Sequence, residues 1–285
     1  MKELLLHPVT RQRLADFTKT PSQASLLVGP AGSGKLTLAA KLSETILELP
    51  PGGLATYPYK LLIKPEGSTA IGIDTIRDLE RFLSLRVPRQ TAYNRAIIIE
   101  NAQLLTLEAQ NALLKTLEEP PTGTFIVLTA DHDQALLPTL RSRAATITVK
   151  RPDRQLTETY FQARDFDPSA TKQAYAISGG LPGLMSALLG QEEHPLLLAT
   201  QRARQLLSQS AYERLLAVDD LAKQRPLALD VAFIFQQMAH VSLQTATGEA
   251  AAKWQAILKA GYQAAEALNV SAQPKLALTN LMLSF

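Results

Sequence analysis

Ser25-Leu26-Leu27-Val28-Gly29-Pro30-Ala31-Gly32-Ser33-Gly34-Lys35 decides the architecture. An apolar run leads into a glycine-rich turn, and a helical pattern then extends from Lys35 to about Glu48, broken by Pro50-Pro51-Gly52-Gly53. Strand, glycine turn and helix start in that order let consecutive backbone N–H groups converge on phosphate oxygens, helped by the positive end of the helix. The stretch matches the glycine-rich part of a Walker A loop, in which Lys35 would reach the β- and γ-phosphates of ATP, with ADP as the other candidate nucleotide. The candidate nucleotide contacts are Gly29, Pro30, Ala31, Gly32, Ser33, Gly34, Lys35, Leu36 and Thr37.

Outward from this loop, strands and helices alternate. Leu61-Leu62-Ile63 reads as a second strand closed by Pro65, and Arg95 to Ile99 as a third, its consecutive β-branched residues indicating burial on both sides. Between them, Asp74 is placed to cap a helix whose Ile76, Leu79 and Leu83 share one face. Thr106 is placed to cap the next helix, with Glu108 in its first turn, and that helix must stop before Pro120. Thr124 to Leu128 and Ala145 to Val149 complete five strands. The alternation predicts an α/β fold with a parallel five-stranded sheet wound on both faces.

From Arg151 onward the strand signal ends. Gln155 to Ala163 and Thr171 to Ile177 read as short helices before Gly179-Gly180-Leu181-Pro182-Gly183, and Gln191 to Pro195 reads as a linker. Longer helical patterns follow at Leu196 to Leu207, Tyr212 to Lys223, Leu227 to His240 and Glu249 to Leu268. The expected domains are 1–150 (nucleotide-binding), 151–190 (a small helical lid) and 191–285 (an all-helical unit).

Composition narrows the class. Of 285 residues, 46% are hydrophobic, enough for real cores. Cysteine is absent, which removes disulfides and thiolate zinc sites and fits a cytoplasmic location. A net charge of +3 tolerates a polyanionic partner without requiring one. Met1 to Thr10 lacks the apolar run of a signal peptide, and no stretch approaches the ~18 apolar residues of a membrane span. The four histidines show no metal-ligand spacing, and Trp254 falls in a helical pattern as a core candidate.

Two positions depart from a hydrolytic site. After the loop lysine, a Ser or Thr normally ligates Mg²⁺; Leu36 has no oxygen, and Thr37 is rotated ~100° further round the helix. A Walker B strand normally ends in Asp and then Glu, but Ile97-Ile98-Ile99 ends in Glu100-Asn101. Glu100 could reach a metal with altered geometry, whereas the amide of Asn101 cannot serve as a base. Together they predict nucleotide binding with little or no hydrolysis and no well-coordinated Mg²⁺.

Ile71 to Leu79, Ile99-Glu100-Asn101-Ala102, Asn111-Ala112-Leu113-Leu114-Lys115-Thr116-Leu117-Glu118-Glu119-Pro120-Pro121, Leu137 to Arg143 and Lys275 to Leu281 together carry a family resemblance. The chain resembles the clamp-loader branch of the AAA+ ATPases. The resemblance implies a P-loop domain, a lid and a helical collar that joins a hetero-pentameric ring. It implies as partners the other loader subunits, a sliding clamp and primed DNA. It also implies that Arg143, in Ser142-Arg143-Ala144, is an arginine finger offered to a neighbouring subunit's nucleotide; the family's cysteine at the third position is lost. Thr129 would be the polar sensor between the two Walker motifs. Leu184 and Met185 stand where the family's lid often offers an arginine, and the family's frequent four-cysteine zinc module is missing. Arg77, Arg81, Arg86 and Lys115 are the candidates for DNA phosphate contact. Two rival readings are an active AAA+ motor, such as a hydrolysing loader subunit or branch-migration helicase, and a recruitment module without a role in turnover.

Overall fold

The structure is a computed structural model and describes residues 4–65, 70–88, 91–190, 194–269 and 273–285. Packing divides the chain into two compact units, Met1–Arg151 and Pro152–Phe285.

The first unit runs α1 (Pro8–Lys19), β1 (Ala24–Val28), α2 (Lys35–Ile46), β2 (Lys60–Ile63), α3 (Ile73–Ser84), β3 (Arg95–Ile99), α4 (Leu107–Glu118), β4 (Thr124–Ala130), α5 (Pro138–Arg141) and β5 (Ala145–Thr148). All strand pairs are parallel, in the order β2-β3-β4-β1-β5. The expected α/β fold with a five-stranded parallel sheet is therefore present. The period of two along each strand sorts the core into two layers. Ile97, Ile99, Ile126 and Leu128 pack with Ile76 and Leu79 of α3 and Leu113 of α4. Ala96, Ile98, Phe125 and Val127 pack with Leu14 of α1 and Leu38 and Leu42 of α2. Every residue of β3 and β4 is buried, as a strand covered on both faces requires.

Local chemistry sets the ends of the elements. The Thr106 hydroxyl accepts from Ala109 N, capping α4 as expected. Two details differ from expectation. Helix α2 stops at Ile46, before the prolines: Glu48 takes a left-handed conformation (φ 56°), with Leu49 N donating to Glu44 O (2.9 Å) and Glu48 N to Thr45 O (3.3 Å). This is a Schellman ending built on a non-glycine residue. Asp74 does not cap α3; Gly72 holds that position, and Asp74 instead pairs with Arg77 (2.7 Å) within the first turn.

The second unit is all helical among its described residues: α6 (Arg154–Gln162), α7 (Pro168–Ser178), α8 (Pro182–Leu188), α9 (Leu196–Ser208), α10 (Ala211–Lys223), α11 (Arg225–Ser242), α12 (Gly248–Asn269) and α13 (Pro274–Leu283). Asp153, Asp167 and Ser210 cap α6, α7 and α10, the last through a reciprocal capping box with Glu213. Helix α11 packs against α7, α9 and α12, and Phe235 meets Phe285 with ring centroids 4.8 Å apart. Trp254 is half-buried on α12. The linker read at Gln191 to Pro195 lies, at 191–193, outside the described residues. Among the described residues no helix is long and apolar enough to cross a membrane.

Candidate functional site

The carboxyl ends of β1, β3 and β4 converge, which is where parallel α/β sheets place ligands. Gly29 follows β1 and donates to Ala130 O at the end of β4 (3.1 Å). A Cβ on Gly29 would lie 2.6 Å from Val149 O and 3.0 Å from Val149 Cβ, so the loop leaves the sheet at a point only glycine fits. Gly34 is required for a different reason: a Cβ there meets open space, but its φ of +81° is the left-handed geometry that turns the chain into α2. Gly29→Ala is expected to destabilise the first unit by about 1–3 kcal/mol, as overpacking against backbone does. Thermal melting tests this; an unchanged melting temperature would mean that the chain at Val149, just after β5, yields freely.

Within the loop, Ser33 is buried and its Oγ has no hydrogen-bond partner. The Lys35 side chain is only 7% exposed, and its Nζ donates to Gly29 O (2.7 Å), Pro30 O (3.0 Å) and Asp131 Oδ1 (2.7 Å). Leu36 packs against the apolar layer shared by α1, α2 and the sheet, and Thr37 is exposed. The glycine turn into α2, with the unpartnered Ser33 Oγ inside it, fits a phosphate. The helix start offers a magnesium ion no oxygen at Leu36, so the donor set does not fit a normally held Mg²⁺.

Glu100 follows β3, anchored by its N–H to Ile63 O (2.8 Å). Burial pushes its carboxyl above the usual range, opposed by nearby Lys64 and Lys35 and reinforced by Asp131. Asn101 adopts a left-handed conformation (φ 53°), and its N–H donates to Thr129 Oγ1 (3.1 Å). Thr129 thus joins the ends of β3 and β4 through a side chain to backbone bond. Asp131 and Gln103, which sequence reading missed, complete the group. Gln103 Nε2 donates to Asp131 Oδ2 (3.2 Å), and Asp131 N donates to Gln103 Oε1 (3.2 Å).

Arg143 lies apart from this group, beyond the short helix α5. Its Nη1 donates to Thr139 O (2.8 Å), and its Nη2 pairs with Glu118 Oε1 (2.5 Å) at the end of α4. The side chain remains 34% exposed. Gln110, buried inside α4, fixes α5 beside it by accepting from Leu137 N (2.8 Å) and donating to Ala135 O (3.1 Å). Arg77 and Arg81 are exposed on α3 but paired with Asp74 and Asp78, while Arg86 and Lys115 are exposed. Leu184 and Met185 are wholly buried in the helical unit. His7 caps α1, and His240 contacts Tyr262 (3.0 Å). Among the described residues no group of three or more acidic, histidine or cysteine side chains could hold a metal.

The sequence profile of the family described as "DNA polymerase III, delta subunit" matches residues 11–153, half of the chain. The chain belongs to that family. Over 187 residues it is 30% identical to DNA polymerase III subunit delta' of Pseudomonas aeruginosa, covering 60% of this chain and 56% of the relative. Over 135 residues it is 34% identical to the Escherichia coli subunit of the same name, covering 47% and 40%. The matched stretch thus spans about half of these curated relatives, or less. A solved structure of a DNA polymerase III gamma subunit-related protein from Thermotoga maritima aligns over 96% of this chain and 97% of its own, with TM-score 0.56 and 22% identity. That likeness concerns the fold, and it extends through the helical unit of this delta-subunit family member. The clamp-loader resemblance carried by 71–143 lies wholly inside the stretch that the family matches.

Proposed function

We propose that the chain is a clamp-loader subunit of bacterial DNA replication that activates a neighbouring ATPase while hydrolysing little nucleotide itself. One contrast supports the reading. The cation of its own phosphate loop is consumed internally, whereas the cation beyond α5 is held half-exposed. In this reading Arg143 is offered in trans to the γ-phosphate bound by the adjoining subunit. Glu118 and Thr139 O fix its guanidinium and leave further N–H donors for phosphate. The chain's own pocket lacks a magnesium oxygen at position 36 and a base at position 101, so it binds ATP or ADP without efficient turnover.

The domain roles follow. Residues 1–150 carry the nucleotide site, 151–190 form the lid, and 191–285 form the collar of a hetero-pentameric ring. The partners are the other loader subunits, a sliding clamp and primed DNA in the cytoplasm. Arg86 and Lys115, with Arg77 and Arg81 once these leave Asp74 and Asp78, would make sequence-independent phosphate contacts. The test is reconstitution with the ATPase subunits, clamp and primed DNA, comparing DNA-stimulated ATP turnover with wild-type chain and with Arg143→Ala. Equal rates would overturn the trans role. Turnover that persists when only this subunit carries an intact loop lysine would overturn the low-hydrolysis role.

A further inference from the structure

The loop lysine is a buried cation whose hydrogen-bonding capacity is taken up inside the chain. An ammonium has three protons, and those of Lys35 meet three acceptors, two loop carbonyls and Asp131 Oδ1. Asp131 does not arrive there by chance of rotamer. Its other carboxylate oxygen accepts from Gln103, and its own N–H donates to the same side chain, so Gln103 grips residue 131 at two points. Gln103 is in turn carried by the short helical turn Ala102–Leu104 directly after the Glu100-Asn101 pair. Lys35 is 7% exposed and Asp131 35%, so this pair is shielded far more than the exposed pairs of α3.

We propose that Asp131, steered by Gln103, is an internal anion that occupies the phosphate position at Lys35 and competes with nucleoside di- and triphosphates for this loop. Nucleotide enters only by breaking the Lys35–Asp131 pair. The freed carboxylate then stands beside an arriving polyanion, which it repels. The backbone cradle survives, so the barrier to binding lies in one side chain and its guide. This inference rests on reading Gly29 to Lys35 as a phosphate cradle. It specifies what sets the affinity of that cradle, which neither the loop pattern nor the loss of an oxygen at Leu36 addresses.

Asp131→Asn keeps the shape and a hydrogen-bond acceptor for Lys35 while removing the charge. Binding of ADP and of ATP to the full chain, followed by titration calorimetry with and without magnesium, is expected to tighten at least about tenfold in Asp131→Asn. Gln103→Ala leaves both charges in place and releases the guide, so it is expected to tighten binding by a smaller factor. It also supplies a reading if Asp131→Asn does not fold. Lys35→Ala added to Asp131→Asn should abolish the gain. Unchanged or weaker binding in both single variants, or a gain that survives Lys35→Ala, overturns the proposal. The outcomes separate from those of the function above. Tighter binding accompanied by hydrolysis would sink the low-turnover reading and leave the internal anion standing. An inert Arg143→Ala would sink the trans role and say nothing against Asp131.

Discussion

Arg143→Ala is expected to lower DNA-stimulated ATP turnover of the reconstituted assembly by about 10³-fold or more, the scale on which a guanidinium supplied across a boundary acts on phosphoryl transfer. The local geometry explains why so little else should change. Among the described residues the side chain reaches Thr139 O and Glu118, both on its own chain's surface. Its removal costs the fold little, because a half-exposed ion pair is worth at most about 1 kcal/mol. The loss should therefore fall on turnover while melting temperature and subunit association stay near wild type. Arg143→Lys should recover only a minor part, since one ammonium cannot hold Thr139 O and Glu118 and still present a planar fork to phosphate. Glu118→Gln keeps a hydrogen bond but loses the charge that orients Arg143, and its loss should be smaller than that of Arg143→Ala. An assembly in which all three variants match wild type would reduce Arg143 to a surface arginine tied to α4.

Phe125→Ala is expected to destabilise the first unit by about 3–5 kcal/mol, as removal of a fully buried aromatic side chain does. Phe125 is 0% exposed near the start of β4. Its ring stands 6.0 Å from that of Phe17 and 5.9 Å from that of Tyr93, edge-on to the latter. It thereby joins α1, the approach to β3 and the sheet in one contact. The Tyr93 hydroxyl is also committed, donating to Pro21 O (3.0 Å), so the surrounding cage cannot collapse freely into the space left behind. Urea unfolding followed by a probe in the first unit measures the effect as a drop in midpoint at unchanged slope. A cost under about 1 kcal/mol would mean the α1 layer repacks and adds little to the sheet's stability.

The sheet was legible because its signals are local. Arg95 to Ile99 reads as a strand from its apolar β-branched run, and it is one over those same residues. Thr106 caps α4 because the residues that follow it form an unbroken helical pattern. Helix α1 escaped notice because only Thr10 and Leu14 of it are buried, too narrow a stripe to show as periodicity. Helix α8 is only seven residues long and begins at Pro182, inside what reads as a glycine turn. Helix α2 ends at Ile46, short of the expected Glu48: a left-handed Glu48 has no sequence signature comparable to glycine. The loop glycines, Lys35, Leu36 and Asn101 were readable from order alone. The pairings that give the pocket its character were not. Lys35 and Asp131 are separated by 96 positions, and only the β1–β4 register brings them together. Arg143 and Glu118 meet because Gln110 pins the segment leading into α5 to the helix that ends at Glu118. Thr129 reads from the resemblance as a polar sensor, but its bond to Asn101 N depends on the neighbouring strand.

The burial of every position in Thr124–Ala130 ties the length of the chain there to both halves of the domain at once. Deleting or adding one residue within it would send the side chains meant for α3 and α4 toward α1 and α2, and the reverse. The same slip would slide Thr129 and Asp131 off their partners at the top of the sheet. Strand β4 works as a ruler shared by scaffold and pocket: the spacing that keeps the interior dry also sets where the carboxylate over the loop lysine comes to rest. Changes of length in this part of the protein therefore have to be absorbed in the turns on either side of that strand.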